Sequence, residues 1–228
     1  MRLFELFMYV QVASDAFDSR CHLIRPARHK VFVVSPQKSG TTALGFELRQ
    51  LGYKMTGWTP ALGELVHENV STVNRMVAEN KSLSYGILYK YLHPLVQFAA
   101  QYDGANDYPL GHTFLDLRAR MILFPEARFV WSDRDLLDVA ESQYVWNSLG
   151  NVASTPPTQK WLQKRISELQ ALRRIAVTAH NQYPKRVLIL QNFSRSTLLT
   201  FLGLRDSCST TSEPIPDIAP RGIHIHGH

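Results

Sequence analysis

An apolar run that passes abruptly into a helix constrains this chain more than any other feature. Residues Val31–Ser35 read VFVVS, which is typical of a strand buried in a sheet. The turn Ser35–Thr42 (SPQKSGTT) follows at once, and leucines then recur at helical spacing as far as Gly52, where the helix is expected to stop. The order strand, tight turn and helix indicates an α/β protein.

The alternation of strands and helices continues along the chain. Further strands are predicted at Arg128–Ser132 and Arg186–Leu190, and helices at Thr41–Leu51, Pro60–Asn80, Thr113–Leu123, Asp135–Ser148 and Thr158–Tyr183, with a short helix ending at Leu202. Tyr85–Gln101 is apolar without a clear period, and Ala105–Pro109 reads as a turn. We therefore predict an α/β fold of three layers, a parallel sheet with helices on both faces. Ligands of such sheets bind beyond the carboxyl ends of the strands, so functional residues are expected just after Val34, Ser132 and Leu190.

The length of 228 residues suits a single domain, which we expect over residues 30–205. Residues 1–29 are predicted to be a leader or helix packed on it, and residues 206–228 a tail that closes over a ligand. Cys21 and Cys208 stand far apart without metal-ligand neighbours, which argues against a disulfide framework or zinc site and fits a reducing compartment. Charges interrupt the apolar start, so we expect neither a membrane span nor a signal peptide, and a cytoplasmic location.

The turn Ser35–Thr42 has the composition of an anion cradle. Gly40 lets the backbone approach an anion closely, and the amides around it would open a helix whose dipole favours negative charge. The net charge of +6 also suits an anionic ligand. In a nucleotide triphosphatase loop the lysine follows the last glycine, whereas here it precedes Gly40, which argues against ATP or GTP. The residues expected to hold the anion are Lys38, Ser39, Gly40, Thr41 and Thr42.

The stretch PQKSGTTAL resembles the 5′-phosphosulfate loop of sulfotransferases that use 3′-phosphoadenosine 5′-phosphosulfate (PAPS). It is closer to the Golgi-type and bacterial carbohydrate branches than to the cytosolic phenol branch, which has a tryptophan where this chain has Ala43. The resemblance covers residues 30–205. It implies a P-loop NTPase-like sulfotransferase fold, PAPS as the cofactor and no metal.

A second motif follows the strand Arg128–Ser132. Arg134 stands at the strand end and Ser142 lies eight residues on, so a guanidinium fork and a hydroxyl are placed to reach one phosphate. The pair resembles the family's 3′-phosphate site, although Leu136 replaces the proline that usually follows Arg-Asp. A surface pair of Arg134 with Asp138 is the alternative. Two motifs in the right order, at two predicted strand ends, favour the phosphate.

Two weaker matches extend the resemblance. The segment after the strand Arg186–Leu190 resembles the family's adenine-contacting segment, and Phe193 is the aromatic nearest that position. Packing in the core is the alternative role for its ring. Arg221 and Gly222 resemble the basic residue and glycine that close over the 3′-phosphate in the cytosolic branch.

The resemblance also implies in-line transfer of a sulfuryl group, with Lys38 stabilising the charge that develops on the leaving phosphate and a base that deprotonates the acceptor. The cytosolic branch uses the histidine of a His-Leu-Pro segment, and Asp107 matches that place by its spacing to Pro109. Its ordinary pKa of about 3.9 is low for a base, so burial would have to raise it. The alternative for Asp107 is a turn-forming aspartate before proline.

Other groups compete for the role of base. Glu64 and His67 lie one turn apart on a predicted helix, and the carbohydrate branch uses a glutamate. His93 is followed directly by proline and fits the His-Leu-Pro pattern poorly.

Other functions remain open at this level. A P-loop nucleotide kinase would need lysine in place of Thr41 and an acidic magnesium ligand in place of Arg134, and a non-catalytic nucleotide-binding relative would have lost the base. A solvated face explains the basic residues of the long helix better than nucleic-acid binding does, and no nucleic-acid partner is expected. The expected acceptor is a small molecule or a carbohydrate, and the candidates to line its cleft are Trp58, Tyr89, Tyr91 and Tyr108. Packing in the core is the alternative for each of them.

Overall fold

A parallel sheet forms the centre of the molecule. The computed structural model describes residues 29–148 and 156–204. Its strands are β1 (Val31–Val33), β2 (Met55–Thr56), β3 (Gly104–Ala105), β4 (Arg128–Asp133) and β5 (Val187–Gln191). They pair in the order β2–β3–β1–β4–β5, and every pair is parallel. β1 therefore lies in the middle, with β3 on one side and β4 on the other.

Helices connect these strands. They are α1 (Thr41–Gln50), α2 (Pro60–Ala78), α3 (Tyr85–Ala100), α4 (Leu117–Leu123), α5 (Leu136–Ser148), α6 (Gln159–Gln182) and α7 (Arg195–Leu202). Several begin at a side-chain oxygen that accepts an N–H of the first turn, which satisfies a donor that has no partner within the helix. Those caps are Ser84, Asp116, Thr158 and Ser194.

Alternate residues of each strand face opposite layers, because successive side chains of a strand point to opposite faces of the sheet. Val31 and Val33 pack with α1 and α7 in one buried cluster. Phe32, between them, packs with α2, α3, α4 and α6 in another. Helix α5 packs on α6. The predicted three-layer α/β fold with helices on both faces of a parallel sheet is confirmed.

Some boundaries differ from the sequence prediction. β2 and β3 have two residues each, and the second residue of β3, Ala105, is the first residue of the predicted turn Ala105–Pro109. The helix predicted from Thr113 begins only at Leu117, because the Asp116 carboxylate accepts the backbone N–H of Arg118 and caps it there. The ambiguous segment Tyr85–Gln101 is the helix α3, which departs from helical geometry at Leu92, two residues before Pro94.

Predictions for the two ends of the chain lie outside the described residues. They concern residues 1–28 of the predicted leader, the tail 206–228, and the pair Arg221 and Gly222. Of the helices in the described ranges, none has both the length and the apolar character needed to cross a membrane.

Candidate active site

The loops that follow four neighbouring strands carry the predicted site residues. Asp107 comes after β3, the cradle Ser35–Thr42 after β1, Arg134 after β4 and Phe193 after β5. Since the strands are parallel and β3, β1, β4 and β5 are consecutive in the sheet, these loops emerge side by side at the carboxyl edge. The cradle occupies the centre of that edge.

The cradle has the backbone of an anion site. Lys38 and Gly40 both have positive φ angles, of 67° and 91°, so the chain curls before α1 starts at Thr41. No side chain of the described residues caps the start of α1, which leaves its first amides available to a ligand. Amides and helix dipole together favour a negative group there.

Ser132 ties the cradle to the end of β4. Its backbone N–H donates to Ser35 Oγ at 2.5 Å, and its own Oγ donates to the Ser39 carbonyl at 2.5 Å. Ser39 Oγ donates in turn to the Pro36 carbonyl at 2.6 Å. Ser35, Ser39 and Ser132 are all buried, so these bonds are shielded from water and hold the loop in one conformation.

Gln143 of α5 ties the cradle from the other side. Its Nε2 donates to the Gln37 carbonyl at 2.7 Å, and its Oε1 accepts from Arg165 Nε of α6 at 2.7 Å. Arg165 also pairs with Glu168 at 2.7 Å. Both neighbours of Lys38 in the chain are therefore held by hydrogen bonds, which leaves the lysine side chain as the movable part.

Phe193 covers Gly40. A Cβ added to Gly40 would lie 2.1 Å from Phe193 Cζ, so the ring edge sits directly against the cradle backbone. Phe193 also packs with the apolar cluster beneath α1 and α7. Its ring therefore contacts both the core and the predicted nucleotide loop.

The Lys38 ammonium contacts an aromatic ring and is influenced by the charge of a carboxylate. Its Nζ is 3.5 Å from the centroid of the Trp146 ring. Burial lowers the pKa of Lys38, and the nearby charge of Asp107 raises it in part. Burial raises the pKa of Asp107, while its hydrogen bond from the Tyr108 N–H and the charge of Lys38 act in the opposite direction. The lysine and the aspartate are thus close enough for each charge to act on the other.

Asn106 fixes the loop that carries Asp107. This buried side chain donates from Nδ2 to the Thr41 carbonyl at 3.2 Å, and it packs so tightly on Gly45 that a Cβ there would lie 2.2 Å away. The base candidate is therefore anchored to the first turns of α1, the helix that opens the cradle.

Glu64 and His67 occupy a different setting from Asp107. Both are exposed on α2, and the ring of His67 lies 5.9 Å from that of Phe114. The charge of Glu64 adds to burial in raising the pKa of Tyr108. The interactions of these two candidates are therefore with Tyr108 and Phe114.

Aromatic side chains continue outward from Asp107. The rings of Trp58 and Tyr108 are 5.1 Å apart, and those of Tyr108 and Phe114 are 4.6 Å apart. Trp58 is 57% exposed, which leaves a broad apolar face open to a ligand. Tyr89 stacks on Tyr85 of the same helix at 5.7 Å, on the surface of α3.

The predicted 3′-phosphate residues follow β4. Arg134 is half-buried one residue beyond the strand, and Ser142 is half-buried in the second turn of α5. The preceding residue, Asp133, accepts two hydrogen bonds from Arg173 of α6, at 2.6 and 2.7 Å. These bonds fix the strand end from which Arg134 projects.

Buried Arg120 and half-buried His112 lie at the same edge of the sheet. The Arg120 side chain is 1% exposed and donates from Nη1 to the Leu110 carbonyl at 2.5 Å. The backbone N–H of His112 bonds to Val33 of β1 at 2.9 Å. Burial and the charges of Arg120 and Arg165 lower the pKa of His112 to about 4, so its imidazole is neutral at pH 7.

Sequence reasoning missed the residues that hold the cradle. Ser132, Gln143 and Asn106 carry no motif of their own, and each is recognised only from its hydrogen bonds. Trp146 did leave a signal, because it lies four residues after Ser142 and so on the same face of α5.

The chain is similar to known proteins in two respects. A family profile described as "Sulfotransferase domain" matches residues 30–196, which include all the strand-end loops of the site. A solved structure, a gluconokinase from Sinorhizobium meliloti 1021, is similar over 70% of this chain and 98% of its own, with 17% sequence identity and a TM-score of 0.33. No curated protein matches the chain significantly.

Proposed function

The chain belongs to the sulfotransferase domain family, and we propose that it transfers a sulfuryl group from PAPS to a hydroxyl or amine of a small-molecule or carbohydrate acceptor. The observation that carries this proposal is the position of Lys38. Its ammonium belongs to an uncapped cradle and also lies within electrostatic reach of a carboxylate on the neighbouring loop. Such an arrangement suits a leaving phosphate on one side and an acceptor proton on the other.

The donor would bind along the half of the edge formed by β1, β4 and β5. The cradle amides, with the hydroxyls of Thr41 and Thr42, would hold the 5′-phosphate. Arg134 and Ser142 would hold the 3′-phosphate, and the ring of Phe193 would contact the adenine. PAPS supplies the activated sulfuryl group when it is bound. Arg221 and Gly222 are proposed to close over the 3′-phosphate.

The transfer would use Lys38 and Asp107 on opposite sides of the reacting centre. The acceptor oxygen or nitrogen forms a bond to sulfur while the bond from sulfur to the phosphate oxygen breaks, and the acceptor proton passes to the Asp107 carboxylate. Lys38 offsets the negative charge that grows on the leaving phosphate. Burial supports the role of Asp107, because a raised pKa makes the carboxylate a better base. Glu64 and His67 remain alternative bases.

The acceptor would enter beside β3. Trp58 and Tyr108 form the exposed aromatic surface nearest to Asp107, and an aromatic face suits the ring of a sugar or a phenol. The relation to the carbohydrate branch and the cytoplasmic location are part of the proposal and rest on the sequence.

Calorimetry with the desulfated product, 3′-phosphoadenosine 5′-phosphate, tests the donor site. We expect micromolar binding to the wild type and clearly weaker binding to Lys38→Ala and Arg134→Ala, because each removes a charged donor. Arg174→Ala, which removes an exposed charge from α6, is the matched control and should bind like the wild type. Equal titrations for all four proteins would refute the assignment of the two phosphate sites.

The same titration separates the alternatives. Binding of ATP with Mg²⁺ in preference to the desulfated nucleotide would favour a P-loop kinase. Binding of the desulfated nucleotide without transfer from labelled PAPS to any acceptor of a broad panel would favour a non-catalytic relative.

A further inference from the structure

The exposed ring of Trp146 has no place in the apolar packing of the described chain. Its side chain is 52% exposed at the end of α5, and it belongs to none of the buried clusters. A tryptophan outside the core contributes little to packing, so an exposed ring suggests that its face contacts something else. The face of this ring is covered by the Lys38 ammonium, 3.5 Å from the centroid.

Helix α5 contacts Lys38 through both the preceding backbone and the end of the side chain. Trp146 lies one helical turn after Gln143, whose side chain holds the Gln37 carbonyl at 2.7 Å. The clamp on the residue before Lys38 and the ring over its ammonium therefore come from the same face of one helix. Since the backbone on both sides of Lys38 is anchored, the contact with the ring adds a restraint on the end of the side chain.

A lysine side chain has many rotamers, and it must adopt a single one when it acts on a nucleotide. Fixing such a side chain costs conformational entropy. A ring that holds the ammonium in the free protein removes that cost from the transfer step. The ring can do so because a cation over an aromatic face is attracted by the ring quadrupole. The ring also holds the charge of Lys38 where it acts on the pKa of the Asp107 carboxylate.

We propose that Trp146 is a positioning residue, which holds the Lys38 ammonium over its ring face between the cradle and Asp107, ready for transfer. The role in turnover rests on the proposed function, whereas the contact itself exists in the ligand-free protein. It predicts that loss of the aromatic face releases Lys38 and lowers kcat, with little change in nucleotide affinity.

The first test needs no ligand. In protein labelled with ¹³C at the lysine ε-carbon, the Lys38 methylene protons should resonate upfield of the other lysines because of the ring current, and Lys38→Arg identifies the signal by removing it. Trp146→Phe should retain part of the upfield shift, and Trp146→Leu, which keeps apolar bulk, should abolish it. Trp58→Leu, which removes another exposed tryptophan, should leave it unchanged. A Lys38 signal at the ordinary lysine position in the wild type would overturn the proposal.

The second test measures transfer and product binding in the same variants. Loss of the cation–π contact should lower kcat about 2- to 30-fold in Trp146→Leu, with substantial recovery in Trp146→Phe and a less than two-fold change in affinity for 3′-phosphoadenosine 5′-phosphate. Equal kcat for Trp146→Leu and the wild type would overturn the positioning role. If the wild type transfers no sulfuryl group, the proposed function fails, while the lysine signal still decides whether the contact exists.

Discussion

Substitution of Gly40 by alanine tests the packing of the cradle against Phe193. The φ angle of Gly40 is 91°, and a non-glycine residue in left-handed conformation costs about 1–2 kcal/mol. The added Cβ would also lie 2.1 Å from Phe193 Cζ, so the ring must move, and overpacking of this kind costs about 1–3 kcal/mol. Gly40→Ala should therefore lower the free energy of unfolding by about 2–5 kcal/mol.

A double-mutant cycle separates the two contributions. In a Phe193→Ala background the obstructing ring is absent, so Gly40→Ala should cost only the backbone part, about 1–2 kcal/mol. The coupling between the two substitutions is then about 1–3 kcal/mol and favours the double variant. Equilibrium unfolding in urea gives each value, provided that the slope m stays unchanged across the four proteins.

The control for this cycle is Gly86→Ala. Nothing lies within 4 Å of a Cβ at Gly86, which is in the first turn of α3. Alanine there should be neutral or stabilise by up to about 1 kcal/mol. If the costs of Gly40→Ala and Phe193→Ala add within about 0.5 kcal/mol, the ring does not press on the cradle and the reasoning is refuted.

Three further predictions concern pH. Asp107→Asn should lower transfer on the order of 100- to 10,000-fold and remove the acidic limb of the kcat/KM profile, which burial places above the usual pKa near 3.9; an unchanged profile would point to Glu64 or His67. Hydrogen bonds from Arg173 hold the pKa of Asp133 below its ordinary value, so the pair contributes stability above about pH 4 that is lost as the pH falls through the folded pKa. Arg173→Met should therefore be less stable than the wild type at pH 7 in urea, and the gap should shrink in acid. His112 is neutral in the fold with a pKa of about 4, so stability should fall between about pH 6.5 and 4 as the unfolded chain takes up a proton; His112→Phe should flatten this part of the curve of unfolding free energy against pH, and an unaltered slope would contradict it.

Runs of apolar residues and apolar residues at helical spacing were enough to predict the fold class from the sequence. β1, β4 and β5 have runs of β-branched and aromatic residues, and the helices α1 and α2 have apolar residues at helical spacing. β2 and β3 could not be found this way, because a strand of two residues has no period. Their existence depends on the pairing of β3 with β1 and of β2 with β3, which is a tertiary effect.

The candidate site likewise has a part that could be predicted from the sequence and a part that could not. The cradle was predicted because its residues are consecutive, and the family assignment is confirmed by the profile match over residues 30–196. The partners that fix it are distant in sequence: Ser132 lies 93 residues from Ser39, and Gln143 lies 106 residues from Gln37. Such contacts appear only after the strands have paired. The roles of Lys38 and the other site residues stay predictions.

The order of the strands also places the proposed acceptor site and the proposed nucleotide site in different segments of the chain. Everything at the β2 and β3 end, from Met55 to Leu110, is one uninterrupted stretch, whereas the cradle, Arg134 and Phe193 come from segments before and after it. In a protein that works as proposed, the residues that select the acceptor lie in this single stretch of the chain. New acceptors can then be gained by changes within that stretch, provided that Asn106, which bonds to the Thr41 carbonyl of the cradle, and Asp107 are kept.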